Sequence, residues 1–166
     1  MNQTRHVAIT GAAGGLGHAL ATTLSNQGCR LSLSDVVANE GTDRKIAVVD
    51  VRDAAAMTDW LTACHDEQPI DWLIVNAALG GPAPIGEPFE SDVRAADLLA
   101  VNTLAAIEQC RVATRLMAGR GGRIILVASL AAVLGNPNAP SMPPRRAPYE
   151  CSATRSPLDF TEQRSR

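Results

Sequence analysis

The chain has 166 residues, enough for one domain with a sizeable core, and 46% of them are hydrophobic. Fifteen basic against seventeen acidic side chains leave a net charge of −2, which excludes partners held by a basic surface, namely nucleic acid and anionic membranes. No apolar run approaches the roughly 20 residues of a membrane span, there is no signal-type apolar region at the N-terminus, and Cys29, Cys64, Cys110 and Cys151 lack metal-ligand spacing, so a cytoplasmic chain with reduced thiols and no metal is expected.

In chain order, His6-Val7-Ala8-Ile9 reads as a short buried strand. It runs into Thr-Gly-Ala-Ala-Gly-Gly-Leu-Gly, residues 10–17, and then into a helical pattern over 15–27 with Leu16, Leu20 and Leu24 on one face. Strand, tight glycine turn and helix form the context that a dinucleotide-binding fingerprint requires. Glycines let a pyrophosphate approach the main chain, and the helix N-terminus offers it free N–H groups. Thr10, Gly11, Ala13, Gly14, Gly15, Leu16 and Gly17 are therefore candidate cofactor-binding residues. Residues 30–34 alternate as a strand and end at Asp35. An acid about 20 residues past the glycine turn can take both ribose hydroxyls and would repel a 2′-phosphate. No arginine follows it directly, so NAD is favoured over NADP; the plainer reading of Asp35 is an ordinary loop aspartate.

A third strand is expected over 46–49, ending at Asp50 and Val51, where Asp50 could instead cap the next helix. That helix, over 54–65, places Met57, Leu61 and Cys64 on one face. Leu73-Ile74-Val75 is continuously apolar, as in a strand covered on both sides of a parallel sheet, and it delivers Asn76-Ala77-Ala78. A loop rich in glycine and proline follows, then a long helix over 91–118 that contains Asn102. On residue type alone Asn102 is a polar residue on a helix flank. Ile124 to Val127 form a fifth strand that leads to Ser129, and ligands of open α/β sheets bind at the carboxyl ends of strands.

Thr10, Gly11, Gly15 and Gly17 fit T-G-x-x-x-G-x-G, and with the motifs after them the chain resembles the short-chain dehydrogenase/reductase family from residue 5 to about 140. The resemblance implies an α/β fold, a Rossmann-type doubly wound parallel sheet in the order 3-2-1-4-5, here truncated after the fifth strand. It implies adenine contacts at Asp50 and Val51, and cofactor contacts at Asn76, Ala77 and Ala78, where the family usually has Asn-Asn-Ala-Gly. It makes Asn102 the asparagine that holds a water in a proton relay, and Ser129 the serine that orients the substrate carbonyl. A small-molecule alcohol or carbonyl substrate is implied. So is a homo-oligomer, through the long helix, and an uncovered fifth strand would favour association.

The family's acid/base pair, a tyrosine and a lysine spaced Y-x-x-x-K about a dozen residues after the serine, is where this sequence departs. Met142 stands at the expected place, Tyr149 is the sole tyrosine with Ala153 four residues on, and Lys45 is the sole lysine. Ser141-Met142-Pro143-Pro144-Arg145-Arg146 can be encoded so that a neighbouring frame reads Tyr-Ala-Ala-Ser-Lys, which points to a frame slip near 141–151. A natural loop variant is the alternative. A nucleotide-binding domain over residues 1–136 and an irregular Pro- and Arg-rich segment over 137–166 are expected. Two functions are weighed: an NAD-dependent oxidoreductase of secondary alcohols or ketones with impaired activity, in which Ser129, Asn102 and Tyr149 are the catalytic candidates, and a non-catalytic dinucleotide-binding remnant.

Overall fold

The computed structural model describes residues 4–38, 44–80 and 92–129. Five parallel strands, β1 (His6–Thr10), β2 (Arg30–Asp35), β3 (Ile46–Val48), β4 (Trp72–Val75) and β5 (Arg123–Leu126), line up in the order β3-β2-β1-β4-β5. Helix α1 (Gly15–Asn26) joins β1 to β2, and α2 (Ala54–Glu67) joins β3 to β4. Between β4 and β5 the chain forms α3 (Asp92–Leu99), a π-helical stretch (Ala100–Ala105) and α4 (Ala106–Leu116). Fold class and strand order are those expected from the sequence. The strand order reverses beside β1, where the chain crosses from the β1–β2 side to β4, and this crevice is where an open α/β sheet takes its ligand.

The sheet is buried on both faces because its central strands are apolar at consecutive positions. Val7 and Ile9 of β1, with Ile74 of β4, pack with Ala12, Ala21, Leu24 and Leu33 on the α1 face. Ala8, Leu73 and Val75 point the other way, into a cluster with Met57 and Leu61 of α2 and with Val101, Ala105, Val112 and Met117 around α4. Each fully buried Leu or Ile contributes about 1.5–3 kcal/mol, so these two clusters hold the strand ends in place.

Three local expectations are corrected. The apolar face of α1 is Gly17, Ala21 and Leu24, whereas Leu16 is 53% exposed at the mouth of the glycine turn. Glycine and alanine sit on the buried side because the helix lies close against β1. Asp53, not Asp50, caps α2, its carboxylate accepting from the N–H groups of Ala55 and Ala56 at 3.1 and 3.0 Å. The long helix is not uniformly α, since Asn102 lies within the π-helical stretch. Leu99 and Ala106 on either side keep right-handed helical angles, so the axis runs through without a break.

Among the described residues strand β5 is the last of the sheet, and Ile125, Leu126 and Val127 are 37–39% exposed. The boundary at 136/137, Tyr149 and the segment around 141–151 lie outside the described residues.

Candidate functional site

The glycine turn is built by two close approaches. Gly11 has φ +68°, and a Cβ there would stand 2.7 Å from Ala77 Cα. A Cβ on Gly17 would overlap the Gly11 carbonyl oxygen and stand 2.9 Å from both Ala12 Cα and Asn76 Nδ2. Gly15 is different: a Cβ there would meet nothing within 4 Å. The fold therefore accounts for glycine at 11 and 17, and leaves open space in front of 15.

The turn is hooked to β2 through Ala12, whose N–H donates to Ser34 O at 3.0 Å, and through Ala13, whose N–H donates to Asp35 Oδ2 at 2.9 Å. Asp35 Oδ1 accepts from the N–H of Val36 at 2.7 Å. A carboxylate has about four lone-pair sites, so Asp35 retains acceptor capacity beside the turn. Val36 and Val37, both more than half exposed, follow it as apolar surface. The nearest cation in sequence after β2, Arg44, donates to Thr22 Oγ1 of α1 at 2.9 Å.

Helix α1 begins without a side-chain cap. Gly14 is the extended cap residue, the first helical bond runs from His18 N–H to Gly14 O at 2.8 Å, and no acidic residue stands in the first turn. The N–H groups of Gly15, Leu16 and Gly17 precede that bond, and such groups, with the positive end of the helix dipole, form an anion site. The residues present thus fit a dinucleotide: pyrophosphate at the start of α1, ribose beside Asp35.

Asn76, expected as a cofactor contact, is turned into the protein. Its Nδ2 donates to the carbonyls of Thr10 at 3.1 Å and Gly11 at 2.9 Å, which locks the end of β4 to the glycine turn. The Thr10 hydroxyl accepts from the N–H groups of Asn76 and Ala77 at 3.3 and 3.4 Å. Ala77 packs on the core and Ala78 is exposed beyond it.

Asn102 reaches the same loop from the π-helical stretch. Its Oδ1 accepts from Leu79 N–H at 2.8 Å and its Nδ2 donates to Leu79 O at 2.9 Å, a two-bond clasp on the strand exit. π-helical turns are frequent at functional sites because the extra residue re-aims one side chain. Ser129 lies three residues past β5 and is exposed. Asp50 is held by Arg52, whose guanidinium donates to both carboxylate oxygens and also reaches Asp97 Oδ1 at 3.2 Å. The side-chain hydrogen bond from Arg52 keeps the Asp50 carboxyl below its ordinary value. Val51 is buried in the α2 cluster, so only its backbone can face a ligand.

Sequence reasoning missed Gln109, a buried glutamine of α4, and His6, a buried histidine at the start of β1. His6 Nδ1 donates to Gln68 O at 2.6 Å, which leaves Nε2 to accept from the Ser32 hydroxyl at 2.8 Å. Burial lowers its pKa, and Arg30 acts in the same sense, outweighing the bond to Gln68 and the charges of Asp71 and Glu67. An open recess of about 350 Å³, lined by Arg5, Asp71, Trp72, Gly121, Gly122 and Arg123, lies at the N-terminal ends of β1, β4 and β5. It is at the opposite end of the sheet from the glycine turn and has no helix N-terminus in it.

Comparison with known proteins agrees with this geometry. The family described as short chain dehydrogenase matches residues 5–141. An uncharacterized oxidoreductase of Mycobacterium tuberculosis is 32% identical over 149 residues, 81% of this chain and 53% of the relative. The sorbitol dehydrogenase of Cereibacter sphaeroides is 34% identical over 135 residues, 74% of this chain and 52% of the relative. The chain therefore spans about half the length of these relatives. Among solved structures, NAD+-bound xylitol dehydrogenase superposes with a TM-score of 0.71 at 27% identity, over 83% of this chain and 58% of that one.

Proposed function

The chain belongs to the short-chain dehydrogenase family, and on that footing we propose that it binds NAD at the glycine turn and serves hydride transfer between NAD and a secondary alcohol or ketone. The observation that carries the reading is the uncapped start of α1, three N–H groups with no acidic residue in the helix's first turn, facing the open space before Gly15. NAD rather than NADP is supported by the Asp35 carboxylate beside the turn and by Arg44 being engaged with Thr22. Bound NAD supplies the hydride acceptor. The chain's own residues hold it: N–H groups 15–17 on the pyrophosphate, Asp35 on the ribose, Asp50 and the Val51 backbone toward the adenine. Ala77, Ala78 and Leu16 wall the remainder of the site. The family resemblance assigns Ser129 to the substrate carbonyl and Asn102 to the relay water.

Turnover by this chain is proposed to be low. An unassisted phenol titrates near pH 10, and a neighbouring cation is what brings it toward neutrality. Tyr149 has Ala153 where the lysine belongs, and the only lysine of the sequence, Lys45, precedes β3. Positioned acid/base help is worth about 10²–10⁴-fold, so its absence favours the second reading, a dinucleotide-binding chain without effective catalysis.

Titration calorimetry with NAD+, followed by NADH absorbance with a panel of secondary alcohols and polyols, separates the readings. Binding without NADH formation is expected. Ordinary turnover would overturn the non-catalytic reading, and absence of NAD+ binding would overturn both. Restoring a Tyr-Ala-Ala-Ser-Lys stretch, within a chain of the relatives' full length, should recover activity.

A further inference from the structure

Helix α4 packs on the sheet through Val112, Ala113 and the adjoining Val101, Ala105 and Met117, all apolar. Gln109 interrupts this face and is 1% exposed. An amide there costs free energy unless bonded, and a leucine would fill the same space. Its bonds are specific. Nε2 donates to Ala105 O, the last residue of the π-helical stretch, at 3.2 Å. The carbonyl Ala105 O can only accept, so the amide orientation is fixed and Oε1 must face Thr10, whose hydroxyl donates to it at 3.0 Å.

That direction propagates. With its proton given to Gln109, the Thr10 oxygen presents lone pairs to the N–H groups of Asn76 and Ala77. Asn76 in turn holds the carbonyls of Thr10 and Gly11. One chain of bonds thus runs from the π-helical stretch through Gln109 to the glycine turn and the exit of β4.

We infer that Gln109 is a positioning residue of the nucleotide site: by orienting the Thr10 hydroxyl it seats the glycine turn and ties it to the helix that carries Asn102. The inference rests on the dinucleotide reading above for its ligand, and on the hydrogen-bond chain for its geometry. Gln109 touches no ligand itself; it acts through Thr10.

The test compares wild type, Gln109→Leu, Thr10→Val and the double variant in three measurements: NAD+ affinity by calorimetry, thermal unfolding, and amide exchange at residues 11–17 against the β2 core. Each single variant should lose about tenfold in NAD+ affinity and exchange faster at 11–17 while β2 stays protected. The double variant should be no worse than Thr10→Val alone, because both substitutions remove the Thr10–Gln109 bond and Thr10→Val additionally removes the acceptor for the Asn76 and Ala77 N–H groups. Gln109→Glu adds a readout that simple packing would not give. Its protonated carboxyl can donate to Ala105 O and accept from Thr10, so its affinity should approach wild type near pH 5.5 and fall about tenfold by pH 8, while wild type stays flat. NAD+ affinity of Gln109→Leu within twofold of wild type, with unchanged exchange at 11–17, would overturn the inference. If wild type itself binds no NAD+, the dinucleotide reading fails instead. The exchange measurement then decides on Gln109 alone, with unchanged rates overturning the positioning role.

Discussion

Gly15 and Gly17 stand two residues apart in the same turn, and the structure assigns their lack of a side chain to different causes. At Gly17 an added methyl overlaps the Gly11 carbonyl oxygen and presses on Ala12 Cα and Asn76 Nδ2 at 2.9 Å. None of these can swing aside: two belong to the backbone, and the Asn76 amide is tied to two carbonyls. Relief requires α1 to lift from the turn. Overpacking of a tight site costs about 1–3 kcal/mol, and a clash with fixed backbone belongs at the upper end. For a chain of this size about 3 kcal/mol lowers Tm by roughly 6–12 °C. At Gly15 a methyl meets nothing, so Gly15→Ala should shift stability by no more than about 0.5 kcal/mol, or about 2 °C. On the proposed dinucleotide reading the same methyl stands where the pyrophosphate would approach, and NAD+ affinity should fall at least tenfold. Thermal unfolding by fluorimetry and NAD+ calorimetry on both variants check this. Gly15→Ala destabilised as much as Gly17→Ala, or binding NAD+ like wild type, would refute the division.

Further outcomes follow from other residues. Asp35→Ala should weaken NADH binding and narrow its margin over NADPH in a fluorescence titration; tighter wild-type binding of NADPH would remove the basis for NAD selection. Because Asp35 Oδ2 also holds the Ala13 N–H, the same variant should lose about 1 kcal/mol of stability in urea unfolding. His6, with its pKa lowered in the folded chain, takes up its proton more readily when unfolded, so stability should fall as pH drops below about 6.5. His6→Gln should flatten the change in Tm between pH 7.5 and 5.0, and an unaltered slope would show that other groups set it. Asn102→Ala, which leaves the N–H and C=O of Leu79 unclasped, should raise amide exchange at 76–80 without affecting β2.

The sheet was legible because its strands are apolar at consecutive positions and each ends in a polar or glycine signal. The placement of Asp35, Asn76 and Ser129 at carboxyl ends of strands followed from that alone. What the sequence hid were departures from simple periods. Leu16 has the right spacing for a core face, yet the buried face of α1 starts with the small residues Gly17 and Ala21, followed by Leu24. A π-helical stretch inserts its extra residue without any marker in composition, so Asn102 could be placed on the helix but not aimed. Gln109 reads as a surface residue, because polarity suggests exposure unless a partner is visible, and its partner Thr10 is 99 residues away. From the sequence Asp50 reads as the alternative cap of α2 and Asp53 is overlooked; the geometry places Asp53 at the cap, and Asp50 pairs with Arg52 instead.

The two ends of the sheet bear different loads. At the N-terminal ends His6 is closed off by Gln68 and Ser32, and its N–H is held by Asp71 at 2.8 Å, while Arg5 and Arg123 lie over Trp72. These bonds pair groups within the protein. At the C-terminal ends, among the described residues, the start of α1 has no side-chain cap, Asp35 accepts from backbone N–H groups only, and Leu16, Val36 and Val37 are exposed apolar surface. The nucleotide reading rests on β1, α1, β2 and β4: Asn76 and Thr10 tie β4 to the glycine turn, Ala12 and Ala13 tie that turn to β2, and Gln109 ties Thr10 to α4, while the stretch around Tyr149 lies outside the described residues. Proton transfer, by the family resemblance, depends on that stretch. Binding and turnover are thus separable by substitution, and a change at Gly15, Asp35 or Gln109 should alter NAD+ affinity whether or not NADH is ever formed.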